Sequence, residues 1–524
     1  MGYAAALTPS LLPVPMMFLL ILTSVGSISG YALGTTIEWA VRRIPAIRHG
    51  SFPRWIRLAI LAGFWLPALA FTPIAVGWQL EQQQQLSMQE PIPGSLGIIA
   101  GTLVIGVVLV MVGRLIRIGS NGLGGLVDRW LPLPLRWARL VVAVLLVIAG
   151  VAAVNLTLSW LVSSYDSVNA DTSGQQPTDL GENSGSPGSL TPWDTLGREG
   201  RFYVSNTMTP EDITSITGRP AELPTRVYVG MQQGDTPQAR TDLALRELDR
   251  VNAWNREYLV IFGVTGTGWV DPDAINSLEA VTDGDVTTVA VQYSAVPSWI
   301  GFVIDPQTTV DQNANTIDGV LQAWRQQPAE TRPELILFGQ SLGSLGTQGA
   351  WTAESTPEDV TREIPHVIWM GPPAESVLWK SWQANRTGGP AWEPIVGDGR
   401  IVRVLVTTDD PDGAEEKRPP TIVFAAHAND PVVYWSPSLL LSQPDWLVPP
   451  LGPGVMPQMR WMPIITFLQV GMDLISGGEP PEVGHNYSAN MAVAVALAVR
   501  PEGWTNEQTL AVQQALPRFR YVTG

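Results

Sequence analysis

The stretch that decides the fold of this chain is LILFGQSLGS, residues 335–344, in which an apolar run leads into a Gly-x-Ser-x-Gly pentapeptide centred on Ser341. Residues 334–338 are typical of a short buried strand, and the small, glycine-rich residues 342–350 predict a helix. A serine hydroxyl attacks a carbonyl only when its turn holds it clear of the backbone and beside a base, and flanking glycines permit such a turn. Because the pentapeptide also occurs by chance, a base, an acid and oxyanion donors must be found elsewhere in the chain.

The residues around this stretch alternate short β-like runs with helical patterns, which is typical of a parallel sheet with crossover helices. The strand candidates are 226–229, 258–262, 287–292, 335–338, 366–370, 401–406 and 421–426. Helical patterns cover 236–252, 317–327 and 489–499. Residues 190–524 therefore predict an α/β domain with a mostly parallel sheet and helices on both faces.

Apolar stretches of membrane-spanning length precede this domain. They cover residues 15–37, 58–80, 96–112 and 140–162. Each approaches the roughly 20 residues needed to cross about 30 Å of hydrocarbon. Residues 1–162 therefore predict an all-α transmembrane region of about four helices. Residues 163–189, rich in Gly, Ser, Asn and Asp, predict a flexible linker to the domain.

The positions of the arginines predict the orientation of these spans. The loop after the first span carries Arg42, Arg43, Arg48, Arg54 and Arg57, and the loop after the third carries Arg114, Arg117, Arg129, Arg136 and Arg139. The loop between the second and third spans has no basic residue. Because basic loops stay in the cytoplasm, we expect a multi-pass protein of the cell membrane with residues 163–524 outside the cytoplasm. This orientation also puts Met1 outside, an unusual start unless the apolar MGYAAALTPSLLP is the stub of a further span.

Three glycines in the first span recur every four residues, at Gly26, Gly30 and Gly34. This spacing puts them on one face of a helix and allows another helix to approach closely. Packing within the chain and contact with a second copy are both consistent with it. The oligomeric state stays open.

Charge divides the chain near residue 162. The part up to that residue has ten arginines and four acidic residues, whereas the remainder has 21 basic and 43 acidic residues. An acidic domain lacks the basic face that nucleic acid requires, so we expect no nucleic-acid partner. The absence of cysteine excludes thiol catalysis, disulfides and thiolate metal sites. We expect neither a metal nor a cofactor.

Four histidines compete for the role of the base: His49, His366, His427 and His485. His49 lies in a predicted cytoplasmic loop. His366 begins a predicted buried strand, which favours a structural role. The choice is therefore between His427 and His485.

The acid is selected by its place in the chain. Where the nucleophile lies on a strand-to-helix turn, the acid and then the histidine follow it in sequence. Ser341, Asp430 and His485 have this order, whereas His427 precedes the acid. Three further carboxylates, Asp409, Asp410 and Asp412, follow another β-like run, but their segment is so charged that a solvated loop is the favoured interpretation. His427 either supports the site or makes a local hydrogen bond.

The oxyanion donors are predicted in FGVTGTGW, residues 262–269, where a strand ends in a glycine-rich loop. In such sites one N–H comes from this loop and the other from the residue after the nucleophile. The candidates are therefore the backbone N–H groups of Thr265, Gly266, Thr267 and Leu342. Alone, TGTG resembles a phosphate-binding loop, but it lacks the Gly-Lys-Ser/Thr ending of one and the full Gly-x-Gly-x-x-Gly of a dinucleotide fold.

A family resemblance rests on several longer motifs. They are VTGTGWVDP (264–272), QYSAVPSW (292–299), GQSLGSLG (339–346), WMGPP (369–373), HANDPVV (427–433), PDWL (444–447) and GHNY (484–487). Behind several apolar spans, this set resembles the actinobacterial membrane-anchored α/β-hydrolase family over nearly the whole chain, including LTPSLLP near the start. The resemblance implies the α/β-hydrolase fold and a serine triad, and it implies no particular substrate.

These residues predict acyl transfer through an acyl-serine intermediate. A domain outside the membrane meets acylated components of the cell envelope, so the favoured function is a serine esterase or lipase with a lipid or acyl-ester substrate. Tyr293, Trp299 and Trp435 are candidates for the acyl pocket, with core packing as the alternative. Two other functions remain open, namely an envelope acyltransferase with the same triad and a non-catalytic membrane scaffold.

Overall fold

The computed structural model describes residues 2–41, 43, 54–89, 91–92, 94–130, 135–173, 177, 181–407, 421–475 and 479–520. The helices are α1 Gly2–Ala6, α2 Met16–Val41, α3 Arg54–Gln85, α4 Ser95–Trp130, α5 Leu135–Ala170, α6 Gly197–Ser205, α7 Pro210–Thr217, α8 Pro237–Arg250, α9 Pro272–Val281, α10 Ser298–Ile304, α11 Pro306–Arg325, α12 Leu342–Gln348, α13 Pro357–Thr361, α14 Val377–Ala384, α15 Pro431–Tyr434, α16 Ile465–Asp473, α17 Met491–Ala498 and α18 Asn506–Ala515. The strands are β1 Thr225–Val229, β2 Tyr258–Gly263, β3 Val286–Val291, β4 Glu334–Gln340, β5 His366–Met370, β6 Val402–Leu405 and β7 Thr421–Ala425.

The chain divides into two compact units. The first consists of Met1–Ser163, Pro437–Leu447 and Met456–Ser476, and the second of Ser164–Ser436, Val448–Val455 and Gly477–Gly524. This division differs from the predicted boundaries because two late segments belong with the first unit. One reason is the α16 residue Asp473, whose buried carboxylate accepts hydrogen bonds from Ser10 Oγ and, at 3.1 Å, from Leu11 N. These bonds satisfy buried backbone and hydroxyl donors.

Three helical stretches are long and apolar enough to cross a membrane, two of them within the first unit and the third continuing from it past Ser163. They are Met16–Val41, Ser95–Leu115 and Val144–Ala170, and they contain the first, third and fourth predicted spans in whole or in large part. The second predicted span, 58–80, lies in α3, which contains Pro67 and Pro73 and is not one of the three. Three candidate spans, where about four were predicted, are therefore found among the described residues.

The glycine row of α2 packs against α1 at one position. A Cβ added to Gly26 would lie 2.5 Å from the carbonyl oxygen of Gly2. At Gly30 the nearest atom to such a Cβ is the backbone nitrogen of Gly2, at 3.7 Å, and at Gly34 no described atom lies within 4 Å. Gly26 therefore allows a close helix contact within the chain.

The second unit is built on a seven-stranded sheet with the order β1-β3-β2-β4-β5-β7-β6. All the pairings between neighbouring strands are parallel. Apart from positions in β6 and at the starts of β4 and β5, the strand residues are buried, as expected of strands covered on both faces. Each of the seven predicted strands is present, and the predicted parallel sheet is confirmed.

Helices cover both faces of this sheet. On β5, Ile368 and Met370 belong to a core cluster with residues of α9 and α17. Trp369, which points the other way, donates its indole N–H to Thr347 Oγ1 of α12 at 2.9 Å. Successive strand residues face opposite sides, so the predicted α/β architecture with two helical layers is confirmed.

The structure differs from the predicted flexible linker at both of its ends. Helix α5 continues to Ala170, and the segment after residue 180 lies along β1. There Asn183 Oδ1 accepts the backbone N–H of Arg226 at 2.8 Å, and Ser184 Oγ accepts that of Tyr228 at 2.9 Å. Because β1 is an edge strand, its backbone groups need such partners, and this requirement orders a segment whose composition alone predicts a coil.

Candidate active site

Ser341 forms the turn between β4 and α12, with φ 54° and ψ −123°. This backbone conformation is strained for a residue other than glycine and is typical of functional positions. The Ser341 N–H donates to the carbonyl oxygen of Met370 at 2.9 Å, which ties the turn to the end of β5. A Cβ on Gly343 would lie 2.0 Å from Gly263 O, and a Cβ on Gly339 would lie 2.7 Å from Gly343 O. Both motif glycines are therefore required by close backbone contacts.

His485 lies beside this turn. Its Nδ1 donates to Asp430 Oδ2 at 2.7 Å. The ring packs on Gly371, where an added Cβ would lie 2.4 Å from His485 Cε1. Gly371 directly follows Met370, the residue that accepts the Ser341 N–H, so the imidazole and the serine share one edge of the sheet. Among the described residues, the buried Nε2 of His485 has no hydrogen-bond partner, which leaves it available to take a proton.

Asp430 is fully buried at the N-terminus of α15, directly after the loop that leaves β7. Its Oδ1 accepts the Val432 N–H at 2.8 Å. Its Oδ2 accepts from both His485 and the hydroxyl of Tyr487, the latter at 2.6 Å. Burial, followed by the charge of Asp430, raises the pKa of Tyr487 well above its ordinary value, so this hydroxyl stays a donor. The structure thus gives the buried carboxylate three donors.

Two opposing effects set the protonation of His485. Burial lowers its pKa, but the charge and hydrogen bond of Asp430 act in the other direction, and the net shift is upward. An imidazolium at this position is therefore stabilised by the carboxylate, which is the property required of a base that holds a proton during a reaction.

His427 lies behind these residues. Its ring stacks on that of Tyr487, with centroids 4.2 Å apart. Its Nδ1 lies 2.9 Å from Gly484 O, and its Nε2 lies 3.0 Å from Asn490 Oδ1. Burial is the main cause of the lowered pKa of His427, so the ring is neutral near pH 7. The His427 ring holds the chain before and after His485, and the His427 carbonyl oxygen accepts the Asp430 N–H at 3.1 Å, so His427 supports the site.

Two of the four predicted oxyanion donors already donate hydrogen bonds, and two do not. The Thr265 N–H donates within its own loop, at 3.1 Å to the carbonyl oxygen four residues on, and the Gly266 N–H donates to Ser298 Oγ at 3.1 Å. Among the described residues, the N–H groups of Thr267 and Leu342 have no acceptor. The structure therefore leaves Leu342, in the first turn of α12, and Thr267 as the available donors of the four predicted. The N-terminus of α12 adds a favourable dipole for an anion.

The three predicted pocket residues also differ in their positions. Tyr293 is buried in the core cluster with strand residues, which favours packing. Trp299, on α10, is 55% exposed. Trp435 is half-buried and packs edge-to-face on Phe302 of α10, with centroids 6.0 Å apart. An added Cβ on Gly301 of α10 would lie 3.5 Å from Leu342 Cδ1, so α10 and Trp435 form an apolar group near the candidate nucleophile.

The alternative residues do not reach the site or lie outside the described part of the chain. His366 is at the opposite end of β5 from the serine turn, where its Nδ1 lies 2.7 Å from Ala498 O and its Nε2 lies 2.9 Å from Glu334 Oε2. His49, Asp409, Asp410 and Asp412 lie outside the described residues. Within the described ranges, no group of three or more His, Cys, Asp or Glu residues is placed to hold a metal ion.

Comparison with known protein families gives two matches. A model described as an alpha/beta-hydrolase family matches residues 225–512, and one described as the N-terminus of an alpha/beta-hydrolase family matches residues 7–207. The first match covers more than half of the chain and includes Ser341, Asp430 and His485. Searches among curated proteins and among solved structures returned no match.

Proposed function

The chain belongs to the alpha/beta-hydrolase family, and from this premise we propose that it is a membrane-anchored serine hydrolase of the carboxylic-ester type. The family expected from the sequence motifs is thereby confirmed, and it supports a hydrolase-type activity. The proposed substrates are acyl esters of the cell envelope. The proposed intermediate is an acyl group on Ser341.

The observation that carries the proposal is the arrangement of Ser341, His485 and Asp430 at the carboxyl edge of the parallel sheet. A strained turn presents the serine, the ring of His485 packs on the residue next to that turn, and Asp430 lies 2.7 Å from the far nitrogen of the ring. A serine presented on a turn, and a nearby histidine oriented by a buried acid, are among the features that nucleophilic catalysis by a serine requires. A scaffold would have no need of a strained serine, a buried carboxylate and an unpartnered imidazole nitrogen together.

In the proposed reaction, Ser341 Oγ bonds to the ester carbonyl carbon while its proton passes to His485 Nε2. The same proton then goes to the leaving alkoxide as the ester C–O bond breaks. A water molecule next attacks the acyl-serine carbonyl carbon and gives a proton to His485 Nε2. That proton then passes to Ser341 Oγ as the bond between Ser341 Oγ and the acyl carbon breaks, which releases the carboxylic acid and restores the serine and the neutral histidine. Asp430 stabilises the imidazolium throughout, and the Leu342 N–H stabilises the oxyanion.

Two features support a substrate at the outer membrane surface. Three helical stretches have the length and composition of membrane spans, which associates the chain with a bilayer. We take α3 as a fourth span, as the sequence predicts, because only then do both arginine-rich loops of the first 162 residues lie in the cytoplasm; the acidic hydrolase unit then lies outside. Apolar side chains on α10 and at Trp435, close to Leu342, suit a long acyl chain.

Labelling of the full chain in isolated membranes with a fluorophosphonate probe tests the proposal. The wild type should be labelled, and Ser341→Ala and His485→Ala should not. Ser344→Ala is the matched control, because this buried serine lies three residues away in the same motif and should leave labelling intact. Unlabelled wild type, beside a known serine hydrolase that reacts in the same membranes, would refute the proposal. Release of free acid from an ester, in preference to transfer to an added alcohol, separates hydrolysis from acyl transfer.

A further inference from the structure

The last turn of α5 belongs to the hydrolase unit. The candidate membrane span in this helix ends at Ala170, and residues 163–170 are its polar end. Asn169, in this turn, is only 5% exposed. A polar side chain buried at the end of a membrane helix requires hydrogen-bond partners, and its partners connect it to the candidate active site.

Asn169 is held in one orientation. Its Oδ1 accepts from Gln292 Nε2 at 3.1 Å and from the backbone N–H of Arg198 at 3.2 Å. Two donors facing this atom require the amide oxygen there and exclude the flipped amide. The buried Arg201 guanidinium donates to the carbonyl oxygens of Asn169 and Asp171, which are acceptors at the helix C-terminus. Residues of the hydrolase unit therefore bind both the backbone and a side chain at the end of α5.

Gln292 carries this connection to the oxyanion loop. It directly follows β3 and is fully buried. The same Nε2 that donates to Asn169 also donates to the carbonyl oxygen of Thr267 at 2.7 Å. Its Oε1 accepts the Met231 N–H at 3.1 Å, so the amide is fixed at both ends. Asn169 and Thr267 thus share the two hydrogens of one amide group.

Two backbone hydrogen bonds close the loop on itself, from the Gly268 N–H to Thr265 O at 2.8 Å and from the Thr265 N–H to Trp269 O at 3.1 Å, and two side chains hold it from outside. The hydroxyl of Tyr228 donates to Gly268 O at 2.8 Å, and Ser298 accepts the Gly266 N–H at 3.1 Å. Gln292 supplies the bond to the intervening Thr267 carbonyl. A rotated Thr267 carbonyl would reorient the neighbouring peptides, and the donors of an oxyanion hole act only when they are aimed in advance.

We propose that Asn169 is a positioning residue for the oxyanion loop, which it aligns through Gln292, so that the end of a membrane helix is part of the scaffold of the active site. This inference rests on the proposed serine hydrolase function. Asn169 touches no reacting atom. Its contribution is to hold the Gln292 amide in the orientation that binds the Thr267 carbonyl.

The test uses the full chain in detergent micelles and measures kcat and KM for a p-nitrophenyl acyl ester. Asn169→Ala should lower kcat about five-fold, the effect of losing one buried neutral hydrogen bond, with KM unchanged. Asn169→Asp keeps the accepting oxygen and should restore kcat to within about two-fold of the wild type. Asn206→Ala is the matched control, because Asn206 also bonds a helix C-terminus but has no contact with Gln292, and it should leave kcat unchanged.

A double-mutant cycle with Gln292→Met separates positioning from a general loss of stability. Because Asn169 acts only through Gln292, the double variant should have the kcat of Gln292→Met alone. Additive losses would overturn the inference, as would a kcat for Asn169→Ala equal to that of the wild type. If Asn169→Ala fails to fold, Asn169→Ser in the same cycle gives the comparison. A wild type that neither hydrolyses esters nor reacts with the fluorophosphonate refutes the hydrolase function itself. An active wild type whose kcat is unchanged by Asn169→Ala refutes only the role of Asn169.

Discussion

Tyr487→Phe is a sharp test of the hydrogen-bond network behind His485. The substitution keeps the ring that stacks on His427 and removes only the hydroxyl. That hydroxyl donates to Asp430 Oδ2 at 2.6 Å and accepts the His427 N–H at 3.2 Å. The carboxylate therefore loses one of its three donors, and a buried backbone N–H loses its acceptor.

Both losses have magnitudes that can be estimated. A hydrogen bond to a charged group contributes about 1.5–3 kcal/mol, and an unsatisfied buried donor costs about 1–3 kcal/mol, so the free energy of unfolding should fall by about 4 kcal/mol. With one donor fewer on Oδ2, the carboxylate charge favours the imidazolium of His485 more strongly. The pKa of His485 should then rise further, and the acid limb of the pH profile should move to higher pH.

Urea denaturation of the full chain in micelles measures the first effect, and the pH dependence of the fluorophosphonate labelling rate measures the second. Tyr258→Phe is the control, since this buried tyrosine lies at the opposite end of the sheet and should leave the pH profile unchanged. An unfolding free energy within about 0.5 kcal/mol of the wild type, together with an unmoved acid limb, would refute the reasoning.

Three further carboxylates give testable predictions, one in the candidate active site and two with structural roles. Asp430→Asn should lower kcat by about 10⁴, and it should move the acid limb to lower pH because burial then lowers the pKa of His485 without the opposing charge of Asp430; an unmoved limb would contradict this. Glu279→Ala leaves the fully buried Arg226 guanidinium without its carboxylate, 2.6 Å away, and should lower the unfolding free energy in urea by about 3–5 kcal/mol; a loss below about 1 kcal/mol would contradict it. Burial raises the pKa of Glu199 to about 7, so the folded state retains a proton that the unfolded state loses, and stability falls as pH rises from the ordinary glutamate value to about 7. Glu199→Gln should therefore raise the unfolding midpoint at about pH 8 and leave it unchanged at about pH 4, and equal midpoints at both pH values would argue against this.

Several parts of the fold follow from the sequence because they depend on local burial. Strand 366–370 was predicted with its observed bounds, since a parallel strand covered on both faces is a short continuous apolar run. Helix α11 shows the limit of such patterns, because it begins at Pro306, well before the predicted 317. Its first turns are polar, and they are stabilised by the Asp305 cap and by burial of Gln312 and Asn313 among other helices. Neither effect is visible as apolar periodicity.

In the candidate site, too, some residues could be predicted from the sequence and others could not. The order of Ser341, Asp430 and His485 along the chain selected three residues that the structure brings to one edge of the sheet. Tyr487 was missed as a partner of the acid, although it lies in the quoted motif GHNY, because its role depends on how that loop turns back to Asp430. The Thr265 N–H donates to a carbonyl oxygen of its own loop because of how that loop turns. The sequence does not show which N–H groups of the loop are used in this way and which remain available to an oxyanion.

The linker is the clearest case where composition misleads. Residues 163–170 are polar and read as flexible, yet they continue α5 as a helix. Their order depends on Arg201 and Gln292, which are distant in sequence and bind the end of the helix. Only a tertiary contact of this kind distinguishes an extended helix from a coil of the same composition.

The most direct measurement is to locate the covalent intermediate. The full chain in micelles is mixed with a p-nitrophenyl acyl ester, quenched in acid within the first turnover, digested, and examined by peptide mass spectrometry. A serine hydrolase of the proposed mechanism gives one acyl adduct, on Ser341, which Ser341→Ala abolishes and Ser344→Ala retains. Ester hydrolysis without an adduct, or an adduct that persists in Ser341→Ala, would contradict the account.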